Sequence, residues 1–239
     1  MSDDALRLFH GAKKPLTKNR SMKGLIYMDD TITIHTTIIL LLNATIQVII
    51  LSLIPFVWWI ITSRKKDNFL VWLGIKTPII ANTKSFFFCL SGILLTFVLF
   101  SVITPLSIDL EYLANAQFQT LNFFGIVNIL IYAFIQTSLS EEIFFRGFLL
   151  KRISNKFSFQ IGNFVQALLF GLLHGAIFSI STALELFALV TIVAVTSFIG
   201  WALGYINEKQ SDSSIIPSWI LHGVANTMST LILQLAFVN

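Results

Sequence analysis

The chain has 239 residues, of which 55% are hydrophobic and only 12% are charged, and its formal net charge is +4. This composition is typical of membrane proteins and excludes a water-soluble globular fold. In so apolar a chain the basic residues mark cytoplasmic loops rather than a nucleic-acid-binding surface, and a single cysteine excludes an intrachain disulfide.

Residues 1–30 are polar and basic and lack the apolar stretch of a signal peptide. We predict a flexible cytosolic or interfacial tail here. N-terminal transmembrane helices are expected over residues 31–118, and a core that contains the polar motifs described below over residues 119–239.

Six largely uncharged stretches follow, each long enough to cross about 30 Å of hydrocarbon. They predict spans at residues 36–62, 85–105, 121–150, 159–180, 184–206 and 215–238. The expected fold is therefore all-α: a polytopic transmembrane helix bundle in the lipid bilayer, with an intramembrane polar cavity. In the fifth span, the spacing of Gly200 and Gly204 favours close helix packing.

The charges of the loops predict the orientation. The loop at residues 63–84 contains five Lys or Arg residues, whereas the connection at residues 106–120 contains none. The positive-inside rule places the basic loop in the cytoplasm, although a single first span would then leave the basic tail outside. We expect an integral protein of a bacterial plasma membrane whose active-site cavity faces the cytoplasm.

The third span ends in the cluster Glu141, Glu142 and Arg146. Glu142 and Arg146 are four residues apart, so on a helix they share one face and form an ion pair. Glu141 points about 100° away from Glu142 and has no local partner. A carboxylate without a cation in a partly dry cavity is suited to general-base chemistry. The alternative is that both glutamates are solvated charges at a helix end.

Further polar residues lie in later spans: His174 in the fourth, and His222 with Asn226 in the sixth. A glutamate and an imidazole can deprotonate water, while imidazole and amide N–H groups can stabilise an oxyanion. Glu141, His174 and His222 could also hold zinc and leave one coordination position open. Spacing alone leaves both alternatives open, because no HExxH motif is present.

These three motifs, EExxxR at residues 141–146, FxxxH at residues 170–174 and HxxxN at residues 222–226, resemble those of the CAAX protease and bacteriocin-processing (CPBP, Abi) family. The similarity covers about residues 120–235. It implies an intramembrane endopeptidase that hydrolyses a peptide bond of a membrane-associated or prenylated, CAAX-type protein or peptide.

The resemblance also implies roles for single residues. Glu141 and His174 would activate water, and His222 with Asn226 would form the oxyanion hole. Glu142 and Arg146 would hold the site together from behind. The metal-free mechanism is favoured, so no cofactor is expected, with zinc as the alternative.

The depth of each residue, counted along its helix, raises the question whether the side chains of Glu141, His174 and His222 meet. Glu141 lies roughly 15 Å, His222 roughly 10 Å and His174 roughly 27 Å from the cytoplasmic loops. Convergence requires that the fourth helix begins along the membrane surface, or that a cytosolic extension follows Lys156.

Two functions outside proteolysis use similar residues. One is a non-proteolytic membrane immunity or scaffold protein that retains the family's bundle. The other is a small transporter with a proton relay through buried Glu and His, which the lack of an evident repeat makes less favourable.

Overall fold

The computed structural model describes residues 18–106, 108–118, 120–182 and 185–238. Within these residues, six helices are long and apolar enough to cross a membrane. The prediction of an all-α transmembrane bundle is confirmed.

The described residues form seven helices, of which only the second is too short to span. Their bounds are α1 Lys18–Thr62, α2 Phe69–Leu73, α3 Thr83–Ile103, α4 Phe123–Lys156, α5 Phe159–Ser181, α6 Leu186–Gln210 and α7 Ile216–Phe237. Short 3₁₀ turns lie between α3 and α4.

Side-chain caps begin several of these helices. The side chains of four residues accept a hydrogen bond from a backbone N–H of the first helical turn, which would otherwise lack a partner. They are Asn68, Asn82, Asn122 and Ser158. Pro217, in the first turn of α7, removes a donor that no helical carbonyl could have met.

The first helix differs from the sequence prediction. The expected tail at residues 1–30 lies outside the described residues up to position 17, but from Lys18 onward the chain is already helical. The backbone continues without a break through Pro55 to Thr62. A helix satisfies its own backbone hydrogen bonds, so it extends past the hydrocarbon boundary as readily as within it.

The helices pack around two central pairs. Helix α7 lies against the middle of α4, and α5 lies along α6. Helix α3 covers α7, and α1 covers the outer side of α4. Helices α5 and α6 are in close contact at Gly204, where an added Cβ would lie 2.1 Å from Asn163 Oδ1. The packing role predicted for this glycine is therefore confirmed.

The loops at the basic end of the bundle are tied together. Lys151 Nζ donates to Glu208 Oε1 and to the Ser213 carbonyl, both at 2.7 Å. Gly74 has a φ of +91°, and a Cβ there would lie 2.5 Å from the Ser213 carbonyl oxygen. These contacts place the end of α6 and the connection at residues 211–215 level with Lys151. The last turn of α4 therefore lies beyond that connection.

Candidate active site

Helix α4 carries the two glutamates in an unusual winding. Residues Ile131–Leu139 and Glu142–Leu150 are π-helical, and Glu141 lies between the two stretches. π-Helical hydrogen bonds join residues five apart, so they change which side chains share a face. Such winding is frequent at functional sites.

Glu142 is fully buried and paired with Arg146. Its Oε1 lies 3.1 Å from Arg146 Nη1, and both side chains have no exposed surface. The predicted ion pair therefore exists, and the interpretation of Glu142 as a solvated helix-end charge is wrong. The Arg146 guanidinium carbon also lies 4.3 Å from the centre of the Phe170 ring. A buried charge of this kind depends on its partner for stability.

Helix α7 adds two further partners to Glu142. Ser218 Oγ donates to Glu142 Oε2 at 2.5 Å, and Asn207 Nδ2 donates to Ser218 Oγ at 2.7 Å. His222 Nδ1 lies 3.2 Å from Glu142 Oε1. Each oxygen of the buried carboxylate thus has a partner from α7, so that Glu142 joins α4 to α7.

His222 lies between the two glutamates. Its Nδ1 faces Glu142, whereas its Nε2 lies 3.8 Å from Glu141 Oε2. An acceptor at Nδ1 requires a proton there, so Nε2 is the ring atom available to other groups. The side chain of Glu141 is 17% exposed, and its Oε2 is buried without a hydrogen-bond partner. Glu142 is saturated, while Glu141 retains an unused acceptor.

His174 on α5 is held in one tautomer. Its Nδ1 lies 2.8 Å from the Phe170 carbonyl oxygen, which can only accept, so the proton is on Nδ1. The neutral ring then has an unprotonated Nε2. Phe170 packs between the histidines, with ring centres 4.4 Å from that of His174 and 6.2 Å from that of His222.

Asn226 is held by α4 through two hydroxyl groups. Its Nδ2 donates to Thr137 Oγ1 at 2.9 Å and to Ser138 Oγ at 3.3 Å. Both amide protons therefore have acceptors. The amide can reach an oxyanion only when the longer contact, with Ser138, opens.

A cavity of about 410 Å³ brings the four predicted site residues together. Glu141 from α4, His174 from α5, and His222 with Asn226 from α7 all line it. The other lining side chains include aromatic and amide residues of α1, α3 and α4. A pocket with a few polar groups among apolar walls is the usual form of a binding site.

The depth problem disappears because α4 continues to Lys156. Glu141 lies 16 residues before Phe157, and His174 lies 16 residues after Ser158, at the two sides of the same turn. Counted in residues, the two side chains are therefore equally far from that turn. The sequence count began α4 at Lys151 and thus compared helices of different length. The difference lies in Lys151–Lys156, which continue α4 as a helix, and not in an extension after Lys156.

The cavity reaches toward one end of the bundle only. Its lining includes Pro105, Ala114 and Ser181, which belong to the end opposite the basic loops. Residues of the 62–84 loop and of the 206–215 connection do not line it.

The arrangement does not supply a metal site among the described residues. No group of three or more His, Cys, Asp or Glu side chains there lies in a position to hold a metal ion. Glu141, His174 and His222 do not form such a group in this conformation.

Sequence reasoning missed the residues that support the site. Ser218 precedes His222 by four residues, so a stripe of three polar positions on one face of α7 was visible in the sequence. Thr137 and the amides of Gln47 and Gln136 carried no such signal, because threonine and glutamine are ordinary members of helices.

A comparison with protein-family models gives a match over the C-terminal half of the chain. Residues 123–228 match the family model described as Type II CAAX prenyl endopeptidase Rce1-like. The matched region begins with α4 and ends two residues after Asn226, so it contains all four predicted site residues, Glu141, His174, His222 and Asn226. No curated protein and no solved structure gives a significant match.

Proposed function

Because residues 123–228 match the Rce1-like CAAX prenyl endopeptidase family, we propose that this integral membrane protein is an endopeptidase that uses Glu141 as its general base. The substrate is a membrane-associated or prenylated protein or peptide. One observation carries the proposal: Glu141, His174, His222 and Asn226 line a single cavity within the bundle. The unused acceptor on Glu141 supports its role as base.

The reaction begins with a water molecule held between Glu141 and His174 Nε2. Glu141 takes one proton, and the hydroxide oxygen attacks the carbonyl carbon of the scissile peptide bond. The remaining O–H of that water donates a hydrogen bond to His174 Nε2. Glu141 then returns its proton to the amide nitrogen as the carbon–nitrogen bond breaks, which yields a carboxylic acid and an amine.

The negative oxygen of the tetrahedral intermediate is stabilised from α7. Asn226 Nδ2 donates one N–H after releasing Ser138, and His222 Nε2 donates when the ring carries its second proton. Glu142 fixes the orientation of the His222 ring through Nδ1. This mechanism needs no metal.

The orientation of the bundle determines which substrates reach the cavity. The positive-inside rule places the loop at residues 63–84 in the cytoplasm, whereas the cavity reaches toward the opposite end. The expectation of a cavity facing the cytoplasm therefore disagrees with the charge pattern. We propose that the cavity faces away from the cytoplasm, which favours leader peptides and membrane-protein segments as substrates over prenylated cytoplasmic proteins.

Cysteine labelling tests this orientation. In a Cys89→Ser background, Ala114→Cys should react with a membrane-impermeant maleimide in intact cells, whereas Lys66→Cys should react only after lysis. Both positions are exposed at opposite ends of the bundle. The reverse pattern would place the cavity in the cytoplasm and favour a prenylated substrate.

The proposed activity is tested with purified protein in detergent, a quenched farnesylated CAAX peptide, and a panel of unmodified quenched peptides. Glu141→Gln removes the base and should lower cleavage by about 10²–10⁴-fold. Because the carboxamide has nearly the same shape, thermal stability should not change. Glu185→Gln, at the exposed start of α6, is the matched control and should retain full activity.

Equal cleavage by wild type and Glu141→Gln would refute the base assignment. If the wild type cleaves no peptide of the panel, and cells carrying Glu141→Gln keep the wild-type phenotype, the non-proteolytic immunity or scaffold function replaces the endopeptidase.

A further inference from the structure

Two glutamines form a polar strip on the wall of the cavity. Gln47 on α1 and Gln136 on α4 both line it. Gln136 Nε2 donates to Gln47 Oε1, and Gln47 Nε2 donates to Ser140 Oγ, each at 3.3 Å. The strip therefore runs from Gln136 through Gln47 to Ser140, the residue next to Glu141.

The strip is complete except for one atom. The amide oxygen and nitrogen of Gln47 both have partners, as does Gln136 Nε2. Gln136 Oε1 is buried and has no hydrogen-bond partner among the described residues. A buried acceptor without a hydrogen bond lowers the stability of the folded protein. This oxygen therefore points to a ligand that donates a hydrogen bond.

A purely structural pair, in which the two glutamine amides hydrogen-bond each other, does not explain why Gln136 Oε1 lacks a partner. Two facing glutamines can exchange two hydrogen bonds, but here only one joins them, because Gln47 Nε2 is directed to Ser140 instead. An amide in the apolar and mostly exposed span of α1 is costly in hydrocarbon unless it makes hydrogen bonds, as Gln47 does with α4.

The winding of α4 brings the strip to the catalytic face. In an α-helix, Gln136 and Glu141 would point about 140° apart. The π-helical stretch Ile131–Leu139, in which hydrogen bonds join residues five apart, turns Gln136 toward the side of Glu141. Both side chains consequently line one cavity.

We propose that Gln136, held in place by Gln47, accepts a hydrogen bond from a backbone N–H of the peptide substrate and thereby positions the scissile carbonyl at Glu141. A backbone N–H is the donor that every extended peptide supplies, whatever its sequence. This inference rests on the proposed endopeptidase function and adds the group that binds the main chain.

The test replaces single backbone amides of the quenched peptide by esters. An ester lacks the N–H, so at one position it should lower kcat/KM of the wild type about three- to tenfold, as expected for the loss of one hydrogen bond. Gln136→Met keeps the length of the side chain but has no strong acceptor. It should cleave the amide and the ester peptide at that position equally well.

A role in folding alone would change stability and overall activity but not this discrimination. Gln47→Leu should reduce the discrimination, because Gln136 loses its support. Gln210→Met, whose amide contacts Tyr205 far from the cavity, is the control and should discriminate as the wild type does. An ester effect of equal size in wild type and Gln136→Met would overturn the inference.

A binding assay separates this failure from failure of the proposed function. Glu141→Gln, titrated with fluorescent amide and ester peptides, should bind the amide peptide more tightly by the same factor, and the added Gln136→Met substitution should abolish the difference. Discrimination in binding without wild-type cleavage would preserve the peptide site and refute the endopeptidase. Cleavage with no discrimination at any position would support the endopeptidase and refute the role of Gln136 in binding the peptide main chain.

Discussion

The two adjacent glutamates of α4 occupy opposite kinds of environment. Glu142 is fully buried and saturated by Arg146, Ser218 and His222. Glu141 is partly exposed to a cavity, 3.8 Å from His222, and keeps an unused oxygen. Neighbouring residues with the same functional group thus serve different ends: the saturated carboxylate holds helices together, and the unsaturated one is free for chemistry.

The comparison predicts that damage to the Glu142 side appears mainly as lost stability. Arg146→Ala leaves Glu142 as a buried charge without its cation and should cost about 3–5 kcal/mol. Thermal unfolding in detergent measures this effect. Ser218→Ala removes only one hydrogen bond to the same carboxylate and should cost about 1–3 kcal/mol. An unchanged unfolding midpoint in Arg146→Ala would show that water reaches the ion pair.

On the Glu141 side, damage should appear as lost activity. Asn226→Ala removes one of the two proposed oxyanion donors and should lower kcat by about 10²–10³-fold, which corresponds to roughly 2.7–4 kcal/mol. The substitution also removes the hydrogen bonds from Nδ2 to Thr137 and Ser138, so the unfolding midpoint should fall about as much as in Ser218→Ala. Steady-state kinetics on the peptide used for Glu141→Gln measure the effect. A fall in stability with unchanged kcat would make Asn226 a packing residue.

The smallest expected effect is that of chelation. Since the proposed mechanism uses only Glu141, His174, His222 and Asn226, prolonged treatment with a strong chelator should leave cleavage unchanged. The matched measurement adds zinc back to the treated protein. Activity that is lost on chelation and restored by zinc would replace the metal-free mechanism, and the histidines would then have to turn toward a common point.

Much of the candidate site was predictable because few polar side chains occur within the apolar spans. Glutamates and histidines are costly in hydrocarbon, so His174 and His222 stand out in the sequence without any structure. The pair Glu142 and Arg146 was also predictable, since it depends only on helical spacing. The polar supports were not: Ser218 meets Glu142 across 76 positions and Asn226 meets Thr137 across 89, and such contacts depend on how the helices pack.

The amino-acid sequence by itself determined that this protein crosses the membrane as a helical bundle, because apolar stretches of sufficient length have no other stable form in lipid. It also determined which polar side chains lie within the apolar spans. Only the tertiary structure decided that α4 continues to Lys156, that its π-helical winding turns Gln136 toward Glu141, and that the cavity reaches away from the basic loops. Length and hydropathy are local properties of the chain, whereas helix rotation, helix depth and the position of a cavity arise from packing between distant segments.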